Sequence, residues 1–376
     1  MRKRSAGVPP ALAKRRQDGR GLQPLLVVLA LAMLAVAGAV WAGAYVGQPA
    51  LSQSEAGCWH PTSDKAYMEN WVFYARTDDG GFLYSVFMVS NMGLYNFNPG
   101  FSISYYAPDG KVTANEFRID NDRFHAATDR FDVKIGDARY WREGKNLRLA
   151  INDGKILADL TLTPTAAPWT AGTGRLPIGG AKESWNWIMP APRGTVHGTV
   201  TVEGKIVNLQ GRGYSDHYWS NKAYFTFSRN WLSFHMAGPK WSVNYHQLVR
   251  TKKYGGDTAR SLMMVADGEP AHETSDVEFE PLEWTDGQKF RQPKAFTLRG
   301  AIDGAQVTIE ARNGRYGEII DPIGSCSKIE QKIVRLLVAD PMVYRLVMDA
   351  KITVAKDGRV EEEQGHAIAA MLYFEQ

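Results

Sequence analysis

Short alternating runs that reverse at glycine pairs dominate the chain after residue 70. Trp71–Tyr74 opens the series, Phe82–Val89 follows Gly80-Gly81, and Phe101–Tyr105 leads into Pro108-Asp109-Gly110. Leu147, Leu149 and Ile151 alternate with Arg148 and Ala150, and Asp153-Gly154 then turns the chain into Ile156–Leu162. An Asp-Gly pair suits a two-residue hairpin because both positions need positive φ, and side chains of period two place alternate residues on opposite faces of a strand. The pair returns at Asp303-Gly304 and Asp357-Gly358, with Glu203-Gly204 a looser relative. Helical spacing is confined to Ile329, Ile333, Leu336 and Leu337, which Asp340-Pro341 soon stops. The pattern predicts an antiparallel all-β protein, a sandwich or a barrel.

The chain has 376 residues, 44% of them hydrophobic, enough to fill a substantial core and to exclude disorder or a disulfide-knit scaffold. About 320 residues of strand pattern exceed one ordinary barrel, so two β-domains are expected, one over 58–228 and one over 229–376. A Gly/Pro/Thr-rich stretch from Thr163 to Gly180 fits either a linker or a long loop within one barrel. No internal repeat is evident.

The amino-terminal end reads differently. A basic tail, residues 1–23, carries Arg2, Lys3, Arg4, Lys14, Arg15, Arg16 and Arg20, and an uncharged aliphatic run follows from Pro24 to Val46. A helix of that run is about 34 Å long at 1.5 Å per residue, enough to span a hydrocarbon core. The preceding positive charge predicts a cytoplasmic amino terminus and an inner-membrane, single-pass anchor with the folded part periplasmic or otherwise extracytoplasmic. Ala42-Gly43-Ala44 has the small-x-small form of a cleavage site, so a signal peptide is the competing reading; the apolar run is longer than a usual signal core and favours retention. An oxidising compartment would let Cys58 and Cys326 pair, while two buried thiols fit the sequence equally.

Beyond residue 20 the charges are 37 basic and 39 acidic, which predicts no nucleic-acid-binding face. No nucleotide loop, zinc-protease motif or nucleophile elbow is present, and the two cysteines lack the spacing of a zinc site. No cofactor and no metal are expected.

Reactive and aromatic residues concentrate between Trp185 and His246, a span of 62 residues with four of the eight histidines and five of the eleven tryptophans. It contains Trp185-Asn186-Trp187-Ile188-Met189-Pro190, then Gly211-Arg212-Gly213-Tyr214-Ser215-Asp216-His217-Tyr218-Trp219-Ser220, then Trp231, His235, Trp241, Asn244, Tyr245 and His246. On a strand, Tyr214, Asp216 and Tyr218 share one face, and Ser215, His217 and Trp219 the other. Asp216 between two tyrosines on an apolar face would hold its proton near neutral pH and could deliver it to a substrate without a polar handle, while ring faces stabilise a cation. The same residues equally suit a structural strand end packed in a core. A metal site through His217, His235 and His246 lacks a recognisable spacing. A Ser215/His217/Asp216 triad is excluded because strand neighbours face opposite ways.

The segment resembles the carotenoid hydratase (hydroxyneurosporene synthase) and attachment-region lipocalin-like family, which carries Gly-x-Gly-Tyr-x-Asp-His-x-Trp behind a Trp-x-x-Pro segment. The matching positions are Gly211, Gly213, Tyr214, Asp216, His217 and Trp219, with Trp187 and Pro190 upstream, and Trp241–Gly268 resembles the opening of the family's second barrel. The resemblance implies two lipocalin-like (calycin) barrels and an apolar isoprenoid, polyene or lipid ligand. It also implies acid-catalysed alkene chemistry, most simply hydration, with Asp216 and Tyr214 delivering the proton and Trp187 as an aromatic wall. His217 joins the catalytic candidates, and Trp219, Tyr218, Trp231 and Tyr245 the substrate-binding ones. Ser220 and Ser215 depart from the family's usual glycine and histidine, and a membrane anchor is foreign to its soluble enzymes. Some relatives shape a pocket for ring closure and others carry lipids without chemistry, so a membrane-tethered carrier or chaperone is the alternative, and an anchored subunit with an envelope or transporter partner a third.

Overall fold

The computed structural model describes residues 51–91, 97–152, 154–178, 183–321 and 340–374, with residues 328, 331, 332 and 335. The 24–46 run, Asp153, Cys326 and the helically spaced Ile329, Ile333, Leu336 and Leu337 lie outside the described residues. Among the described residues no helix is long and apolar enough to cross a membrane.

Two antiparallel sheets make up the fold. The first contains β1 (Met68–Thr77), β2 (Phe82–Ser90), β3 (Asn98–Tyr106), β4 (Val112–Arg118), β5 (Phe124–Ala126), β6 (Asp132–Ile135), β7 (Ala138–Glu143), β8 (Asn146–Asn152), β9 (Ile156–Pro164), β10 (Arg175–Pro177), β11 (Ser184–Val202) and β12 (Lys205–Ser220). A one-turn helix, α1 (Tyr224–Phe227), leads into the second: β13 (Ser228–Ala237), β14 (Trp241–Arg250), β15 (Thr258–Ala266), β16 (His272–Thr274), β17 (Val277–Asp286), β18 (Arg291–Ile302), β19 (Ala305–Ile320), β20 (Met342–Lys356) and β21 (Arg359–Tyr373). The strand order is β4-β3-β2-β1-β12-β11-β9-β8-β7-β6-β5 in the first sheet, with β10 on β11, and β16-β15-β14-β13-β21-β20-β19-β18-β17 in the second. In each, a four-strand meander leads off and the last strand returns to pair with the first. The two halves thus repeat one topology that no sequence repeat announces.

The turn chemistry is as the dipeptides predict. Glu203-Gly204, Asp303-Gly304 and Asp357-Gly358 each hold two successive residues at positive φ, the conformation a tight hairpin between twisted strands requires. The expected barrels are curled sheets: among the described residues no ladder joins β4 to β5 or β16 to β17. The three-residue strands β5 and β16, at one outer edge of each sheet, are too short to carry an extended closing ladder.

Period-two alternation divides the buried residues into three layers. Trp71, Phe73, Phe87, Tyr140 and Leu160 belong to the core inside the first sheet, and Phe234, Tyr245, Phe296 and Ile309 to the core inside the second. The third layer lies between the sheets, where Val72, Tyr74, Tyr84, Trp187 and Tyr218 meet Trp231, Leu248, Met263 and Ile368. Each large apolar side chain buried there contributes roughly 1.5–3 kcal/mol, which is what holds one sheet on the other. Arg193 adds a polar clamp. Fully buried on β11, it donates to the carbonyls of Gly238 (3.0 Å) and Pro239 (2.7 Å), to Ser242 Oγ (3.0 Å) and to Asp267 (2.7 Å), all from the second half of the chain.

Candidate functional site

The site is built where β12 runs between β1 and β11. Gly211 and Gly213 open the motif because the strands crowd there: a Cβ on either would stand 2.0 Å from the Arg76 carbonyl oxygen or 2.2 Å from that of Tyr74. Further along β12 the ladder to β11 is interrupted. Ile188 pairs with His217 and Ala191 with Ser215, so Met189 and Pro190 together stand opposite Asp216. Proline has no N–H to give a ladder and is at home in such a bulge. Trp187, paired with Tyr218 before the irregularity, shares the face of Asp216, and the Pro190 bulge leaves the strand irregular just beyond it.

Asp216 is wholly buried in the layer between the sheets. The Trp187 indole N–H donates to its Oδ1, and its Oδ2 has no hydrogen-bond partner. Burial raises the carboxyl well above the usual aspartate range, against the opposing pull of the Trp187 indole and the nearby His217 backbone amide. Burial thus favours the protonated, neutral form of the group, the condition for general-acid work on an apolar substrate.

Around it runs a ring of contacts drawn from both sheets. Trp187 meets the His246 ring at 5.6 Å between centroids, His246 meets His235 at 5.4 Å, His235 meets Tyr214 at 5.0 Å, and Tyr214 shares a strand face with Asp216. Tyr74 stacks on Tyr214 at 4.9 Å, and the Trp231 indole donates to His246 Nδ1 at 3.4 Å. The hydroxyls of Tyr214, Tyr74, Tyr84 and Tyr218 have no partner, nor does either nitrogen of His235. Burial pulls His235 down to about 3, and burial with the neighbouring His235 holds His246 well below the imidazole range, so both are neutral. Burial likewise pushes the Tyr214 hydroxyl far up.

His217 and Trp219 point the other way, into the core of the first sheet. Glu69, also fully buried, accepts from His217 Nε2 at 2.8 Å, His60 Nδ1 at 2.9 Å, the His60 backbone at 2.9 Å and the Tyr67 hydroxyl. The Gly57 amide donates to His217 Nδ1 at 3.1 Å, which assigns the proton of that ring to Nε2. Trp219 covers the group, stacked on His60 at 3.7 Å. Burial alone would raise Glu69, but the hydrogen bonds from His217 and His60 outweigh it and hold the carboxyl below its ordinary range. Desolvation lowers His217 against the pull of Glu69. Donor atoms of His60, Glu69 and His217 lie within 4.8 Å of one another, the spacing a metal ion accepts, yet each is already engaged in this network.

Of the sequence candidates, the fold therefore brings together Asp216, Tyr214, Tyr218, Trp187 and Trp231. It does not bring His217 and Trp219 to them, nor Tyr245, which lies in the core of the second sheet with its hydroxyl on Gln247 (3.1 Å). His217 is also parted from His235 and His246, so those three do not converge on a metal. Ser215 accepts from the Tyr140 hydroxyl at 2.6 Å on the His217 side, as the rejection of a triad required. The sequence motifs assign no role to His60, Glu69 or Arg193. Glu69 was the findable one: a lone carboxylate inside the apolar run Met68–Ala75 must have buried partners. Cys58 is buried with Sγ 3.0 Å from the Ser54 carbonyl, and its suggested partner lies outside the described residues.

Two curled antiparallel sheets stacked back to back, with a buried carboxyl sealed between them, define a calycin-like fold with a candidate site at the sheet interface. Residues 102–316, more than half of the chain, match the AttH-like family, and the chain belongs to it. An AttH-type protein of Nitrosomonas europaea superposes with a TM-score of 0.63 at 16% identity, over 88% of this chain and 99% of its own. Kievitone hydratase of Nectria haematococca superposes with a TM-score of 0.56 at 14% identity, over 90% and 96%. These likenesses establish the fold. In sequence, the ceramide-binding protein svf1 of Schizosaccharomyces pombe is 22% identical over 206 residues, 52% of this chain and 53% of that protein. The chain spans about half the length of this curated relative.

Proposed function

We propose that the protein binds an apolar isoprenoid, polyene or lipid in the layer between its sheets and uses Asp216 to protonate an alkene of that ligand, hydration being the simplest outcome. The observation that carries this reading is the setting of Asp216: a fully buried carboxyl whose Oδ2 has no partner, bordered by aromatic rings and driven by burial toward its neutral form. The Oδ2 proton passes to one alkene carbon as the π pair forms the C–H bond. The cation on the other carbon is stabilised by the faces of Tyr214, Tyr218 and Trp187, and water closes the C–O bond, its surplus proton returning to the Asp216 carboxylate. Kinship with a family whose fold is shared by a hydratase supports the chemistry.

The test is the full chain with Asp216→Asn, expressed beside wild type, with mass spectrometry of the lipids each releases. Asparagine keeps an acceptor for the Trp187 indole and cannot act as the acid; turnover should fall by about a thousandfold, within the range for a positioned general acid, while ligand binding persists. The mutant should accumulate a compound lacking one water. Equal product from both proteins removes the hydratase reading.

A second reading, a non-catalytic lipid carrier, is favoured by the likeness to a ceramide-binding protein. It expects one unaltered lipid in equal amounts from wild type and Asp216→Asn. Residues 24–46 would tether either activity to the inner membrane with the sheets on the extracytoplasmic side, next to a source of lipid and to any envelope or transporter partner. Protease digestion of intact spheroplasts tests this: the sheets should be cleaved without lysis, and protection until lysis would exclude that side.

A further inference from the structure

The second sheet contributes polar atoms to the shared layer that a hydrocarbon cannot satisfy. His235 is 2% exposed and His246 fully buried; neither His235 nitrogen has a partner, and neither has His246 Nε2 or the neighbouring Asn244 Oδ1. Across the layer the same holds for Asp216 Oδ2, Tyr214 and Tyr74. Each such group costs about 1–3 kcal/mol when left unpaired, and six residues together approach the whole stability of an ordinary domain. They also lie together: contacts run from Asp216 through Trp187, His246 and His235 to Tyr214 and on to Tyr74, and Asn244 pairs opposite His235.

Their donor and acceptor roles follow from their partners. The Trp231 indole donates to His246 Nδ1, so that nitrogen is the acceptor and Nε2 carries the hydrogen. A neutral His235 offers one N–H and one bare nitrogen. The pair therefore presents an N–H donor beside a nitrogen acceptor, the complement of a single hydroxyl.

We infer that His235 and His246 form a hydroxyl seat, and that the ligand class is an apolar chain bearing an alcohol. The hydroxyl oxygen accepts from His246 Nε2–H and its hydrogen goes to the bare nitrogen of His235. This rests on the reading of the shared layer as the ligand site and adds what the ligand must carry. If the reaction is hydration, the seat holds the water: its oxygen bonds the cationic carbon left by Asp216, its surplus proton passes to His235, and proton return to the Asp216 carboxylate restores both groups. If the protein is a carrier, the seat holds the alcohol of the lipid itself.

The test uses the full chain in detergent and two probes, geranylgeraniol and the matching hydrocarbon with hydrogen in place of the hydroxyl, read by quenching of tryptophan fluorescence. Wild type should bind the alcohol about tenfold more tightly, the difference two modest hydrogen bonds make. His235→Leu should abolish that preference, and His235→Gln, which keeps a donor and an acceptor, should retain it in a variant with unaltered circular dichroism. Heavy-oxygen water separates the two sources: label entering the hydrocarbon probe marks seated water, and alcohol binding without label marks a seated lipid alcohol. Equal affinities for the two probes in wild type overturn the seat and leave the apolar site standing. Failure of both probes to bind overturns the ligand site and the seat with it.

Discussion

The indole N–H of Trp187 donates to Asp216 although the two are not paired across their strands: Trp187 stands opposite Tyr218, and the Met189-Pro190 bulge faces Asp216. Trp187 therefore reaches the acid diagonally, from the position two residues along the face that Asp216 shares with Tyr218. This diagonal contact supplies the donor to Oδ1, while Oδ2 has no partner.

Asp216 imposes a pH slope on stability. The native state keeps the proton and the unfolded chain releases it above the ordinary aspartate pKa of 3.8. The native state thus binds more protons, and stability falls as pH rises from there through the folded pKa. Asp216→Asn lacks this slope and should gain in Tm over wild type between pH 4 and pH 7. A mutant–wild-type difference that stays flat with pH contradicts a buried neutral acid.

The buried histidines act in the opposite sense. His235 is held at about 3 against 6.5 when free, so the unfolded chain takes up a proton that the native state refuses, and stability falls as pH drops below about 6.5. At pH 5 this amounts to about 2 kcal/mol for His235. Because Asp216 works against it over the same range, the variant difference is the clean readout: denaturant unfolding of His235→Leu should lose less stability than wild type between pH 7 and pH 5.

Glu69 locks the segment around Gly57 and His60 onto β12. Glu69→Gln puts an amide among donors that all need an acceptor, and should cost about 3 kcal/mol, the scale for breaking a buried charged network. Its carboxyl is depressed in the fold, so this contribution is present above the unfolded glutamate pKa of 4.5 and is lost as pH falls through the folded value. Unfolding at pH 7 measures the cost, and an unchanged midpoint would show that the four donors find partners elsewhere.

Arg193 clamps the first sheet to the β13–β14 turn and to Asp267. Arg193→Met should cost about 3–5 kcal/mol and split unfolding into two transitions, one for each sheet, visible by calorimetry. A single sharp transition at the wild-type temperature would show that the apolar layer alone couples the sheets.

Glycine at position 213 is required by distance. The alanine methyl of Gly213→Ala would meet the Tyr74 carbonyl oxygen at 2.2 Å, a contact that forces β1 and β12 apart. Loss of at least about 2 kcal/mol, with altered near-ultraviolet signals from the tyrosines beside it, is expected.

Much of this architecture is legible in the sequence. Hairpins at Asp303-Gly304 and Asp357-Gly358 follow from two residues that tolerate positive φ, and the separation of Tyr214, Asp216 and Tyr218 from Ser215, His217 and Trp219 follows from the pleat of a strand. Those are local properties, set by residues next to one another. What covers each face is not local. Asp216 meets the second sheet because β13 and β14 pack there, while Tyr245, on the other face of β14 with equally aromatic company, turns into a different core. His217 found its partners in Glu69, 148 positions away, and Asp216 became an acid through dehydration by side chains from both sheets. Alternation told which residues face together, and only packing between distant strands decided what they face.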